Sequence, residues 1–204
     1  METGKYYHIY NRANGFENLF MNEGNYDFFL SKIDLYLSPI LNVYAYCLMP
    51  NHFHLLVKIK SEEGLKQFIN NEDQSSSRFQ TWEMFIQYFI SKQFANLFSS
   101  YTQSFNKQQN RTGSLFQKGF KHKEIVSEEY LKELILYIHC NPVHHGFVED
   151  FSQWENSSYS KFLDLASQTA VEKEVINYFG DMVNFQACHQ DKNEFNLIKN
   201  LVIE

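Results

Sequence analysis

Paired cysteines are missing from this chain. Cys47, Cys140 and Cys188 are its three thiols, far apart and without paired spacing. A disulfide framework is therefore excluded, and they read as reduced, mostly buried thiols of a cytosolic protein. No charged-then-apolar leader opens the sequence, and no apolar run is long enough to span a bilayer. A soluble, cytoplasmic protein without membrane attachment is expected. Positive charge is also scarce: 18 Lys and Arg against 24 Asp and Glu leave a net charge of -6. That balance argues against indiscriminate binding to polyanions, because phosphate contacts need Lys and Arg. No internal repeat is visible, so repeat architectures are excluded.

The most informative absence is local. From Met84 to Lys123 there is no Asp or Glu, yet the same stretch carries Lys92, Lys107, Arg111, Lys118, Lys121 and Lys123. From Glu149 onward the chain is plainly acidic. One basic face on an acidic protein can still steer a polyanion. Lys107, Arg111, Lys118, Lys121 and Lys123 are thus candidate phosphate contacts, set against the plainer reading of a solvated basic face. Aromatic residues, by contrast, are abundant, with 20 Phe and 13 Tyr. Most will fill a core, and some are compatible with stacking on unpaired bases. With 44% hydrophobic residues over 204 positions, one domain with a sizeable core is expected.

Periodicity orders the elements. Tyr6–Arg12 is rich in aromatic and β-branched residues and predicts a strand. Phe28, Phe29, Ile33 and Leu37 fall at helical spacing within 25–37, before Pro39. Leu41–Met49 and His52–Ile59 flank the turn residues Pro50-Asn51 and predict a hairpin. A short helix and a mobile connection are expected across 61–80, then a long helix over 82–107, a loop at 110–113 and a strand before Val126. Ser127 followed by Glu128 and Glu129 is a good helix start, and that helix is expected to stop near Asn141 because Pro142 follows. Glu172–Phe179 predicts a last short helix closed by Gly180. The order β-α-β-β-α-β-α is that of an α+β, ferredoxin-like antiparallel sheet with helices packed on it. Residues 1–150 read as the functional domain, with 151–204 as a C-terminal extension packed on it.

Two groups of residues carry chemistry. On a strand of period two, His52 and His54 share one face while Phe53, Leu55, Val57 and Ile59 share the other. Two imidazoles so spaced suit one metal ion, although unrelated histidines are equally compatible with the bare pattern. On the helix that starts at Ser127, Tyr130, Leu134, Tyr137 and Asn141 fall on one face. An amide oxygen such as that of Asn141 suits a hard ion, Mg²⁺ or Mn²⁺. Tyr137, one turn away, would stand beside it, whereas Tyr130 lies about 16 Å from Asn141 along the axis. A phenol needs such help to act as a nucleophile; the alternative is a packing tyrosine with its hydroxyl at the rim.

The segment Ala45-Tyr46-Cys47-Leu48-Met49-Pro50-Asn51-His52-Phe53-His54-Leu55-Leu56-Val57 resembles the His-hydrophobe-His block of the HUH single-tyrosine transposases, most closely their REP-associated branch. Four further blocks resemble the same family in the same order: Tyr7-His8-Ile9-Tyr10-Asn11-Arg12, Arg111-Thr112-Gly113-Ser114-Leu115-Phe116-Gln117, Tyr137-Ile138-His139-Cys140-Asn141-Pro142-Val143 and Trp154-Glu155-Asn156-Ser157-Ser158-Tyr159. The resemblance implies His52, His54 and Asn141 as ligands of a divalent ion. It implies Tyr137 as the nucleophile that forms a 5′-phosphotyrosine with single-stranded, hairpin or palindromic DNA, leaving a 3′-hydroxyl for rejoining. A monomer is favoured over a dimer. Where many relatives carry Arg after Asn-Pro-Val, this chain has His144-His145. Cys188 and His189 have no counterpart role and read as structural. A hairpin-binding protein without turnover and a metal-dependent phosphohydrolase using water are the competing functions, and covalent capture of DNA separates the first reading from both.

Overall fold

The computed structural model describes residues 1–69, 78–164, 166 and 168–191. Four strands, β1 (Tyr6–Arg12), β2 (Leu41–Met49), β3 (His52–Ile59) and β4 (Lys121–Ile125), form one sheet in the order β2-β3-β1-β4, with each adjacent pair antiparallel. The first three have the ends that residue type and alternation predict. The crossover from β1 to β2 runs through α1 (Glu23–Leu37), capped by the Asn22 side chain. The crossover from β3 to β4 includes α2 (Glu62–Ile69) and α3 (Trp82–Gln109). The expected mobile connection, residues 70–77, lies outside the described residues. α3 packs against α1 and ends at Asn110, whose φ of 51° reverses the chain in the left-handed conformation that Asn tolerates. The fold is α+β and ferredoxin-like.

Strand alternation divides the side chains between two cores. Ile9, Phe53, Leu55 and Val57 meet Phe29 and Ile33 of α1 and Phe94, Leu97 and Tyr101 of α3. On the opposite face Ala45, Cys47, Met49 and Leu56 meet Leu134, Ile135 and Ile138 of α4 (Glu128–His144). A bulge between Val43 and Ala45 of β2 turns both Tyr44 and Ala45 toward that second core. Truncating a ring such as Phe53, fully buried, would cost about 3–5 kcal/mol.

α4 runs further than proline chemistry suggests. Pro142 lies inside the helix, which continues to His144. The proline removes one N–H donor. The last turn is nevertheless closed, because the carbonyls of Asn141, Pro142 and Val143 accept from the N–H groups of His145, Phe147 and Gly146. Gly146 supplies the positive φ, 69°, that such a closure uses. Asn141 therefore stays within the helix and one turn from Tyr137.

After residue 150 the chain closes the outer edge of β2. Trp154 Nε1 donates to the Leu48 carbonyl at 3.0 Å, Leu48 N–H donates to Asn156 O, and Ser158 N–H donates to Tyr46 O. An edge strand with its backbone groups satisfied in this way cannot recruit another chain there. α5 (Tyr159–Leu163), α6 (Ala170–Tyr178) and α7 (Met182–Gln190) follow. α6 begins two residues before the expected start, because Thr169 and Glu172 form a capping box. The Glu174 carboxylate on α6 accepts from Tyr44 at 2.7 Å and Tyr6 at 3.0 Å, which pins the helix to the sheet. Among the described residues no helix is long and apolar enough to cross a membrane. Cys47 and Cys140 are buried free thiols and Cys188 is half-buried.

Candidate active site

His52 and His54 leave β3 on the α4 side of the sheet, their ring centroids 5.2 Å apart. Arg12 stands opposite His52 and Tyr10 opposite His54 in the β1–β3 ladder, so these four share that face. Asn141 comes from above on α4 and is fully buried. Its Oδ1 lies 3.1 Å from His52 Nε2. Tyr137, one turn earlier, sets its ring edge-on to His54 at 5.4 Å. Tyr137 is only 3% exposed, yet it lines a cavity of about 400 Å³ together with His52, His54, Tyr10, Arg12 and Lys121. No carboxylate is among the residues lining that cavity, while two cations are, a balance that suits an anion such as a phosphate.

The histidines are held neutral. Burial pushes His52 down to about 4, against the opposing hydrogen bond to Asn141. Burial also holds His54 well below the usual imidazole range, aided by the neighbouring His8, His52 and His145. Neutral imidazole is the form that ligates metals. The donor set at His52 fits a cation. His52 Nδ1 faces Asn51 Oδ1 at 2.7 Å, and with the Asn51 amide so turned its oxygen accepts a ring proton on Nδ1. The lone pair of Nε2 then faces another acceptor, Asn141 Oδ1, and a cation relieves that repulsion. Asn141 Nδ2 is buried with no hydrogen-bond partner. Turning the amide over would leave the oxygen stranded instead, so in either orientation one buried polar atom of Asn141 lacks a protein partner. Among the described residues, no group of three or more His, Cys, Asp or Glu side chains could hold a metal. A set completed by Asn141 is of a different composition.

The five basic candidates are distributed unevenly. Lys121 lines the cavity. Lys123 stands opposite His8 in the ladder and places its ammonium 4.8 Å over the Tyr130 ring. Lys118 lines a neighbouring groove against α3. Lys107 lies in the last turn of α3. Arg111 is engaged by both oxygens of Glu17, at 3.1 and 2.7 Å.

The geometry has counterparts. Residues 5–88 match the family described as Transposase IS200 like. A relative from Haemophilus influenzae described as a REP-associated tyrosine transposase is 28% identical over 119 residues, 57% of this chain and 58% of that protein. The chain resembles the IS200-like transposases over residues 5–88 and that relative over 119 residues. The alignment thus spans a little over half the length of that curated relative. A solved structure described as the REP-associated tyrosine transposase bound to a REP hairpin superposes with a TM-score of 0.56. It covers 84% of this chain and 86% of that one at 16% identity, a likeness of fold.

Sequence reasoning did not single out Tyr10, Arg12 or His8. The signal was present, since Tyr6, His8, Tyr10 and Arg12 alternate on β1 just as His52 and His54 do on β3. What the sequence does not disclose is the pairing that brings the two alternating sets to one face.

Proposed function

We propose that this chain is a metal-dependent strand-transfer enzyme acting on single-stranded DNA near hairpins or palindromes, with Tyr137 as nucleophile. One observation carries the reading: a tyrosine ring packed edge-on to His54 in the wall of a carboxylate-free cavity, where His52 Nε2 and Asn141 Oδ1 meet at 3.1 Å. The relative and the solved structure, named for REP-associated tyrosine transposases, one of them bound to a REP hairpin, support it.

His52, His54 and Asn141 would hold Mg²⁺ or Mn²⁺, whose chemistry when bound is to polarise a phosphoryl oxygen and offset its charge. The Tyr137 oxygen attacks the phosphorus and the P–O3′ bond breaks. A 5′-phosphotyrosine forms, and the phenol proton is balanced by the one taken up at the released 3′-hydroxyl. The reverse reaction with another 3′-hydroxyl rejoins the strand without an external energy source. Arg12 and Lys121 lie where they can hold the phosphate in reach. Residues 1–150 would carry this chemistry, with 151–204 as an extension of the same domain, in a protein that acts as a monomer.

A specific observation favours a second reading. Tyr137 is 97% buried by difference from its 3% exposure, which suits a hairpin-binding protein without turnover. Incubation with a panel of hairpin oligonucleotides and Mn²⁺, followed by mass spectrometry of trapped peptides, tests both. The enzyme reading expects a nucleotide on Tyr137. Hairpin binding without any adduct favours the second reading, and an adduct on Tyr10 or Tyr130 overturns the assignment of the nucleophile.

A further inference from the structure

His8 lies one step behind the cavity. It is 2% exposed, and its Nε2 meets His54 Nδ1 at 2.9 Å. Resting on the metal reading above, we propose that His8 is a positioning residue: it fixes the ring of His54 and determines which nitrogen His54 offers to the ion. With Nδ1 engaged by His8, the nitrogen that remains to His54 for a ligand is Nε2. A lone pair on Nε2 requires the ring proton on Nδ1, donated to His8 Nε2. The opposite arrangement, with His8 donating, would put the His54 proton on Nε2 and close that nitrogen to a cation. Metal-bound imidazoles commonly owe their tautomer and orientation to such a partner on the other nitrogen.

Three features make His8 fit this task. Its ring lies within 27° of the His54 plane, with centroids 5.1 Å apart as in two rings joined edge to edge through the Nε2–Nδ1 contact, so the plane of His54 is held as well as its proton. The support is rigid, because β1 and β3 are paired from Tyr6 to Arg12, with His8 opposite Leu56 and Tyr10 opposite His54. His8 therefore reaches His54 along a diagonal of the ladder rather than from a loop. Third, with Nε2 accepting, the His8 proton lies on Nδ1, which is buried without a hydrogen-bond partner. Packing alone would favour an apolar side chain here, since an unpaired buried nitrogen is destabilising. The nitrogen that faces His54 is what a histidine adds.

The test compares wild type, His8→Gln and His8→Met in the full chain. Glutamine can present an oxygen near the place of Nε2; methionine fills the space without a strong acceptor. Mn²⁺ affinity is read from the electron paramagnetic resonance signal of the free ion, and the His54 tautomer from long-range ¹H–¹⁵N spectra of metal-free protein. His8→Met is expected to bind Mn²⁺ about 10- to 100-fold more weakly and to lose the single Nδ1–H state of His54, while His8→Gln retains most of both. Equal Mn²⁺ affinity in folded His8→Met and wild type overturns the role of His8 and leaves the metal reading standing. A wild type that binds no Mn²⁺ ends the metal reading and this role with it. Should His8→Met fail to fold, wild-type His54 carrying its proton on Nε2 when metal-free, or a folded His8→Gln as weak as His54→Ala, still overturns the proposal.

Discussion

Two buried histidine pairs lie on the α4 side of this molecule, and they differ in one respect. His139 of α4 and His189 of α7 meet at 2.8 Å, much as His8 and His54 do at 2.9 Å. In the α4–α7 pair every ring nitrogen has a partner: His139 Nε2 faces Ser158 Oγ at 2.8 Å, and His189 Nδ1 donates to the Phe185 carbonyl at 2.7 Å. In the other, His8 Nδ1 has none, and His54 lines a cavity. Both pairs are desolvated, yet only one is closed. A fully satisfied buried network fixes structure, whereas an unsatisfied one points to a ligand or a catalytic use.

Substitutions should separate the two pairs. The largest effect is expected from Tyr137→Phe, which removes one oxygen beside the open pair and should abolish covalent capture of hairpin DNA while the fold survives. His54→Ala should likewise lose Mn²⁺ binding. His139→Ala and His189→Ala should leave capture per folded molecule near wild type. If an alteration of the closed pair eliminates capture in fully folded protein, the division between the pairs fails.

Next in size is the stability carried by the closed pair. Removing the His139 ring leaves Ser158 and His189 short of a partner and opens a cavity between α4 and α7. A loss of about 2–4 kcal/mol is expected in urea unfolding. His52→Ala, at the rim of the open cavity, should cost clearly less. Equal losses would mean that the open site is as much a part of the folding core as the closed one.

The effect of acid is of comparable size and has a definite sign. Burial lowers His139 well below the imidazole range, and lowers His189 to about 4. Unfolded histidine titrates near 6.5. The unfolded chain therefore binds protons first as pH falls. The contribution of these residues is fully present above about pH 6.5 and is lost progressively toward pH 4, on the order of 3 kcal/mol for His189 alone. Urea midpoints at pH 7.5, 6 and 5 should fall in that order, and His189→Leu should flatten the trend. A midpoint that rises between pH 7.5 and 5 would contradict burial as the cause.

The open site, His8 apart, was easier to read from sequence than the closed pair, for physical reasons. His52 and His54 are two apart on a strand, where alternation alone places them together, and Tyr137 and Asn141 are one helical turn apart. Local geometry carries both relations. His139 and His189 are fifty positions apart, and the helix that brings His189 in, α7, does not gather its apolar residues on one face and so has little periodicity to announce it. The bonds from Trp154 and Ser158 to β2 escape for the same reason. Pro142 misled in the other direction, because the restriction it imposes is local while the carbonyl closure that offsets it involves residues beyond the helix.

The smallest effect concerns the basic residues, and it sharpens what belongs to the open site. Sequence treats Lys121 and Arg111 alike, both in the acid-free stretch. The fold does not. Lys121 lines the cavity beside Tyr10, with no carboxylate among the lining residues. Arg111 is held bidentately by Glu17, and its side chain is 18% exposed. A strand approaching Arg111 must compete with a carboxylate already in place, whereas one entering the cavity meets Lys121 with no such rival. Lys121→Ala should therefore weaken hairpin binding several-fold and reduce the slope of log affinity against log salt by about one. Arg111→Ala should change that slope little and act mainly through its bonds to Asn106, in the last turns of α3, and to Ser114 in the loop that follows. Binding isotherms between 50 and 200 mM salt decide the matter. A larger loss of slope from Arg111 than from Lys121 would mean that the strand displaces Glu17, and that the DNA path runs along the end of α3 rather than into the cavity.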